Sequence, residues 1–224
     1  DAIKVAVFAE NFGGGKPLPD ALIYAINNWE VERYRKSVAF SGAQAKRAQN
    51  KIVLVTGSAQ GFGKGLAEDM AKEGAVIAVA DLNYEGACEV AEELCSTYGA
   101  GTAIGISANV GDEDSVREMI YKTVCEYGGL DALVSNAGIV RAGSLDELTL
   151  ANFELSTRIN YTAFFLCSKY ASKVMKATGK YAPYKMADII QINSKSGLTG
   201  SNKNFAYAGS KFGGIGLVQS FALE

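Results

Sequence analysis

The sequence predicts an α/β fold built on a doubly wound parallel sheet, and three observations predict it. Short apolar runs rich in Val, Ile and Ala recur between residues 52 and 192, separated by longer segments of helical periodicity. The runs are apolar without a polar alternation, so they read as strands covered on both faces. The first run, Ile52-Val53-Leu54-Val55, enters a turn holding Gly57, Gly61 and Gly63 and then an amphipathic helix with Leu66, Ala67, Met70 and Ala71. A glycine-rich turn that opens a helix brings bare N–H groups and the positive end of the helix dipole toward a phosphate.

Taken in order, residues 1–50 stand apart. Ile3, Val5, Ala6 and Phe8 suggest the end of a helix, which Gly13-Gly14-Gly15 with Pro17 and Pro19 breaks. Asp20 is placed to cap a second helix bearing Leu22, Ile23, Ile26, Trp29 and Tyr34. A polar stretch over 41–50 links this short helical extension to the strand at Ile52. Strands are then expected at 52–55, 75–80, 102–106, 130–134 and 189–192. Helices are expected at 63–73, 84–98, 114–127 and, as one long element, 150–175, with a last helix from about Tyr207 to Glu224.

Composition narrows the function classes. With 48% apolar and 21% charged residues and a net charge of −2, the chain is an ordinary globular one with no basic patch for nucleic acid. No apolar run approaches the ~18 residues that span a bilayer. Cys88, Cys95, Cys125 and Cys167 form no C-x-x-C pair and fall in expected helices, which favours reduced thiols and a cytoplasmic setting. There is no histidine, so Ser-His-Asp, Cys-His and His-ligated metal chemistry are excluded from these residues.

The chemistry-bearing residues fall at expected strand ends. Asp81 closes the second strand 24 positions after Gly57, where a carboxylate can accept from an adenosine ribose. Together with the glycine turn it points to a dinucleotide, and its carboxylate would repel a 2′-phosphate, favouring NAD over NADP. Ser135-Asn136-Ala137-Gly138 ends the fourth strand, where small residues let backbone approach a ligand. Ser194 leaves the fifth strand, and Tyr207 and Lys211, four apart, share a helix face. An ammonium beside a phenol stabilises the phenolate and gives an acid/base without histidine.

These residues resemble the short-chain dehydrogenase/reductase family over about 51–224. Its cofactor turn matches Thr56-Gly57-x-x-x-Gly61-x-Gly63, and its nicotinamide-side turn matches Asn136-Ala137-Gly138, with Ser135 where asparagine is frequent. The family's adenine-contacting Asp-Val position carries Asn109-Val110. The resemblance implies a Rossmann-like fold and catalysis by Asn160, Ser194, Tyr207 and Lys211. It implies an NAD site made by Gly57, Ser58, Gln60, Gly61, Phe62, Gly63, Asp81, Leu82, Asn109, Val110, Asn136, Ala137, Gly138, Tyr207 and Lys211. It also implies a further crossover and strand beyond residue 224, so the sheet is expected to be truncated at its C-terminal end. A homodimer or homotetramer through the helices near 150–175 and 207–224 is implied by the same resemblance.

Ile189-Ile190-Gln191-Ile192-Asn193-Ser194-Lys195-Ser196-Gly197 and the residues after Lys211 are most similar to family members acting on polyol phosphates. The expected substrate is therefore a small sugar or polyol, phosphorylated or free. Lys195 and Lys203 are either ligands of a substrate phosphate or solvated lysines. A cofactor-binding module without turnover is the alternative from another class. At the other end, Asp1-Ala2-Ile3-Lys4-Val5-Ala6-Val7, Phe12-Gly13-Gly14 and Asn28-Trp29-Glu30-Val31 resemble the tail of a class II aldolase/adducin-like domain. That resemblance includes none of the domain's metal-binding histidines and implies no aldolase activity here.

Overall fold

The structure, a computed structural model, describes residues 19–22, 46–181 and 186–224. The chain divides into two units, Asp1–Arg47 and Ala48–Glu224. Within the first, Asp20 to Leu22 form a helical turn in which Leu22 N donates to Pro19 O at 2.8 Å. The aldolase-like segments and most of the helix expected after Asp20 lie outside the described residues.

The second unit is the expected α/β layer structure. Strands β1 (Ile52–Thr56), β2 (Val76–Asp81), β3 (Ala103–Ser107), β4 (Ala132–Ser135) and β5 (Asp188–Gln191) form one parallel sheet in the order β3-β2-β1-β4-β5. Between them run α1 (Gly61–Lys72), α2 (Tyr84–Tyr98), α3 (Glu113–Tyr127), α4 (Leu150–Thr157) and α5 (Ala163–Tyr181), with α6 (Phe205–Phe221) after β5. Strand boundaries move by one or two residues from those expected, because pairing rather than apolarity ends a strand. Thr56 pairs with Ala80, for example, and Asp81 with Ser107.

Each central strand feeds two cores, which explains its unbroken apolarity. Leu54, Ala78, Ala80 and Leu133 face one core with Val116, Met119, Leu166 and Cys167. Val53, Val55, Ile77, Val79 and Val134 face the other with Ala67, Ala71, Ala87, Val90 and Leu94. Helix starts follow the capping rule: Asn83, Asp112 and Thr149 each accept a backbone N–H from the first turn of α2, α3 and α4. The start of α1 has no such side-chain cap and no acidic residue in its first turn, so its N–H groups are left to a ligand or water.

One expected element is corrected. The long helix over 150–175 is broken into α4 and α5 by a π turn at Arg158–Thr162, centred on Asn160. A wide turn of this kind inserts a residue and re-aims the side chains around it. The four cysteines are free thiols, and none of the described helices is long and apolar enough to cross a membrane. Cys167 is buried in α5, and burial pushes its thiol up to about 12, so it stays protonated.

Candidate active site

The strand order reverses between β1 and β4, and parallel sheets bind ligands at the carboxyl ends of such a switch point. A cleft of about 690 Å³ opens there, lined from the β1 end by Gly57, Gln60, Gly61 and Phe62. Asp81 and Leu82 line it from β2, Asn109 and Val110 from β3, and Asn136, Ala137 and Gly138 from β4.

The turn before α1 requires glycine for separate reasons. Gly57 adopts φ +67°, and a Cβ there would stand 2.8 Å from Ala137 Cα. A Cβ at Gly63 would overlap Gly57 O and lie 2.6 Å from Asn136 Nδ2. Asn136 donates through that nitrogen to Thr56 O and Gly57 O at 3.0 and 2.9 Å, while Thr56 Oγ1 accepts from the N–H groups of Asn136 and Ala137 at 3.1 Å. The β4 turn thus clamps the glycine turn. The missing side chains form a cradle with backbone on its floor, and a pyrophosphate at the uncapped α1 start fits it.

Asp81 is fixed from two sides. Its Oδ2 accepts from Ala59 N and its Oδ1 from Asn83 N, both at 3.0 Å. The carboxylate therefore ties the glycine turn to the start of α2, and, with one bond accepted by each oxygen, it has further capacity to accept from a ribose hydroxyl at the cleft it lines. Ser58 is placed differently from its expected role: its side chain is fully buried and donates to Val55 O at 2.7 Å, away from the cleft. Gly63, Tyr207 and Lys211 also stay out of the lining, and Gly63 acts by letting α1 pack against the turn after β1.

The expected catalytic residues come from three elements. Ser194 follows β5 in extended backbone, and its Oγ accepts from Ser196 N at 3.2 Å across a 3₁₀ turn, Lys195–Gly197. Half-buried Tyr207 and buried Lys211 lie one turn apart on α6, with Lys211 Nζ 5.7 Å from the centre of the Tyr207 ring. Lys211 Nζ donates to Ile192 O at 2.7 Å, and burial holds its ammonium below the ordinary 10.5. Asn160 is bound on both sides of its amide to Ile139, accepting from its N and donating to its O at 2.8 Å. The π turn is thereby locked onto the segment after β4, and its Tyr161 ring packs against Gly213 of α6.

Ala108, Ile139, Arg141, Leu155 and Ile159 also line the cleft, unmarked by any sequence motif. The first only extends the β3 end already marked by Asn109. The other four sit on a loop and on helix faces that carry no motif spacing.

A family model described as short chain dehydrogenase matches residues 51–224. Sorbitol-6-phosphate 2-dehydrogenase of Escherichia coli (strain K12) is 37% identical over 175 residues, covering 78% of this chain and 66% of that protein. The uncharacterized oxidoreductase YuxG of Bacillus subtilis (strain 168) is 30% identical over 223 residues, 100% of this chain and 31% of its own. The crystal structure of sorbitol-6-phosphate 2-dehydrogenase SrlD from Erwinia amylovora matches with a TM-score of 0.73 and 40% identity, covering 77% of this chain and 65% of that one. The chain thus spans about two thirds of the two sorbitol-6-phosphate dehydrogenases and less than a third of YuxG.

Proposed function

Because the chain belongs to the short-chain dehydrogenase/reductase family, we propose that it carries the NAD site and catalytic residues of an oxidoreductase for sugar or polyol phosphates. The proposed reaction interconverts a secondary alcohol and a ketone, sorbitol 6-phosphate and fructose 6-phosphate being the expected pair. The observation that carries the redox reading is Lys211 held beside the Tyr207 ring and bonded to Ile192, close to Ser194 in the chain. The substrate class is supported by the two sorbitol-6-phosphate dehydrogenases at 37% and 40% identity.

NAD, when bound, supplies the hydride acceptor. The chain would hold its pyrophosphate on the N–H groups around 57–63, its adenosine ribose on Asp81 and its adenine beside Leu82, Asn109 and Val110. Tyr207 removes the hydroxyl proton during oxidation and returns it during reduction. Ser194 Oγ, an acceptor for Ser196 N, keeps its own hydrogen to donate to the substrate oxygen. Lys211 has two N–H donors left after Ile192, enough to reach a ribose and to keep positive charge near the phenol. The Asn160 amide is spent on Ile139, so its contribution to a proton relay runs through the main chain of the π turn.

Exposed Phe165, Phe212 and Val218 on α5 and α6 support assembly into a homodimer or homotetramer. Residues 1–50 are read, on their resemblance alone, as the end of an aldolase-like domain ahead of the dehydrogenase domain, and the YuxG match runs through this segment. The test of substrate is the full-length protein assayed by NADH absorbance against matched phosphorylated and free polyols, with NAD or NADP. Turnover of the phosphorylated polyol with NAD is expected. Preference for the free polyol, or for NADP, overturns the corresponding part of the proposal. Absence of turnover with every alcohol favours a non-catalytic module.

A further inference from the structure

Ser194 belongs to the connection after β5, while Tyr207 and Lys211 belong to a helix that begins 11 residues later, at Phe205. Chemistry shared between them needs the connection and the helix held in one geometry. Asn193 makes that link. Its Oδ1 accepts from Ser194 N at 2.8 Å and its Nδ2 donates to Lys211 O at 3.1 Å. The acceptor end of one amide thus holds the serine, and the donor end holds the helix. Lys211 Nζ returns a second bond to Ile192 O at 2.7 Å. Two adjacent residues after β5 are therefore bonded to the two ends of a single α6 residue, which fixes orientation as well as distance. Gly197 makes room for the link, since a Cβ there would stand 2.5 Å from Asn193 Oδ1 and 3.0 Å from Lys211 O.

We propose that Asn193 is a positioning residue for the dehydrogenase reaction, setting Ser194 against Tyr207 and Lys211. The inference rests on the function proposed above. Asparagine suits the task through its inventory of one acceptor and two donors on a short stem. Aspartate keeps the acceptor for Ser194 N but turns an acceptor oxygen toward the Lys211 carbonyl. Serine is too short to reach both partners. Asn193 holds Lys211, proposed above to reach a cofactor ribose, only through that residue's main chain, so its loss should lower kcat more than it weakens NADH binding.

The test compares Asn193→Ala, Asn193→Asp and Tyr207→Phe in the full-length protein, measuring kcat, KM, the pH profile of kcat/KM and the NADH dissociation constant. Misplacement of a reacting group by about 1 Å can lower a rate ~100-fold. Asn193→Ala is accordingly expected to lower kcat about 10- to 100-fold, to move the limbs of the pH profile, and to weaken NADH binding by a smaller factor than it lowers kcat. Asn193→Asp, nearly the same shape, is expected to fall at least as far. A role in folding stability alone would lower the unfolding temperature but leave kcat and the pH profile of the folded enzyme unchanged, and that result overturns the inference. So does wild-type kcat in Asn193→Asp. If Tyr207→Phe abolishes turnover while both Asn193 variants keep it, the inference alone fails. If Tyr207→Phe keeps turnover, the proposed function fails with it.

Discussion

The two sides of the site are built by opposite means. On the cofactor side, β1 and β2 are buried on both faces, the binding surface is backbone exposed by missing side chains at Gly57 and Gly61, and Gly63 lets α1 pack close beneath it. On the catalytic side, which follows β5, the working atoms sit on long side chains. There, position comes from specific hydrogen bonds: Lys211 to Ile192, Asn193 to Lys211, Asn160 to Ile139. Gln191, at the end of β5, has both side-chain polar atoms buried without a partner among the described residues. A site made of absences tolerates no added atoms, whereas a site made of tethers tolerates no lost ones.

That contrast can be broken from either side. The largest effect is expected for Lys211→Met, which keeps volume but removes the charge beside Tyr207: kcat should fall by about 10² to 10⁴ with folding retained, as seen by steady-state kinetics and circular dichroism. Gly63→Ala should act on binding instead. With a methyl forced onto Gly57 O and Asn136, the NADH dissociation constant is expected to rise ten-fold or more and the unfolding temperature to drop. Asp81→Ala comes next. Loss of the acceptors for Ala59 N and Asn83 N and for the ribose should weaken NAD by about ten-fold, near the ~1.5 kcal/mol lower end for a charged hydrogen bond. The preference for NAD over NADP, read by titration with each, should shrink. Gly61→Ala should be mildest: its φ of +58° strains any other residue by about 1–2 kcal/mol, but open space surrounds it, so binding should suffer less than in Gly63→Ala.

The pH dependence has a definite sign. Burial holds Lys211 below 10.5, so its positive charge is lost at lower pH than for an exposed lysine. Activity that needs the ammonium is full below that folded-state value and declines above it, so the alkaline limb should have its midpoint below 10.5. Stability moves the other way in the window between the folded value and 10.5. There the unfolded chain binds more protons at this position, so rising pH relieves the penalty on the buried ammonium.

The same contrast explains what can be read from the sequence. The cofactor side is legible because its physics is local: apolar runs give buried strands, and glycine spacing gives the turn. The clamp of Thr56 and Asn136 across β1 and β4 is legible only as two separate motifs. On the catalytic side, Tyr207 and Lys211 are legible as a helical pair, but Asn193 reads as one more polar residue in a motif. The break at Asn160 is hidden because apolar periodicity runs through the π turn without interruption. The place of the Ser58 hydroxyl is hidden for a related reason: only the folded turn shows that it satisfies the Val55 carbonyl inside the fold.

The central claim is that a phenol on α6, held beside the Lys211 ammonium, moves the proton while hydride passes to the cofactor. Its most direct test is Tyr207→Phe in the full-length protein, with alcohol oxidation and NADH binding measured on the same preparation. The account predicts that turnover falls by about a thousand-fold or more while NADH binding stays within a few-fold of wild type. Turnover at the wild-type rate with that hydroxyl gone would contradict it.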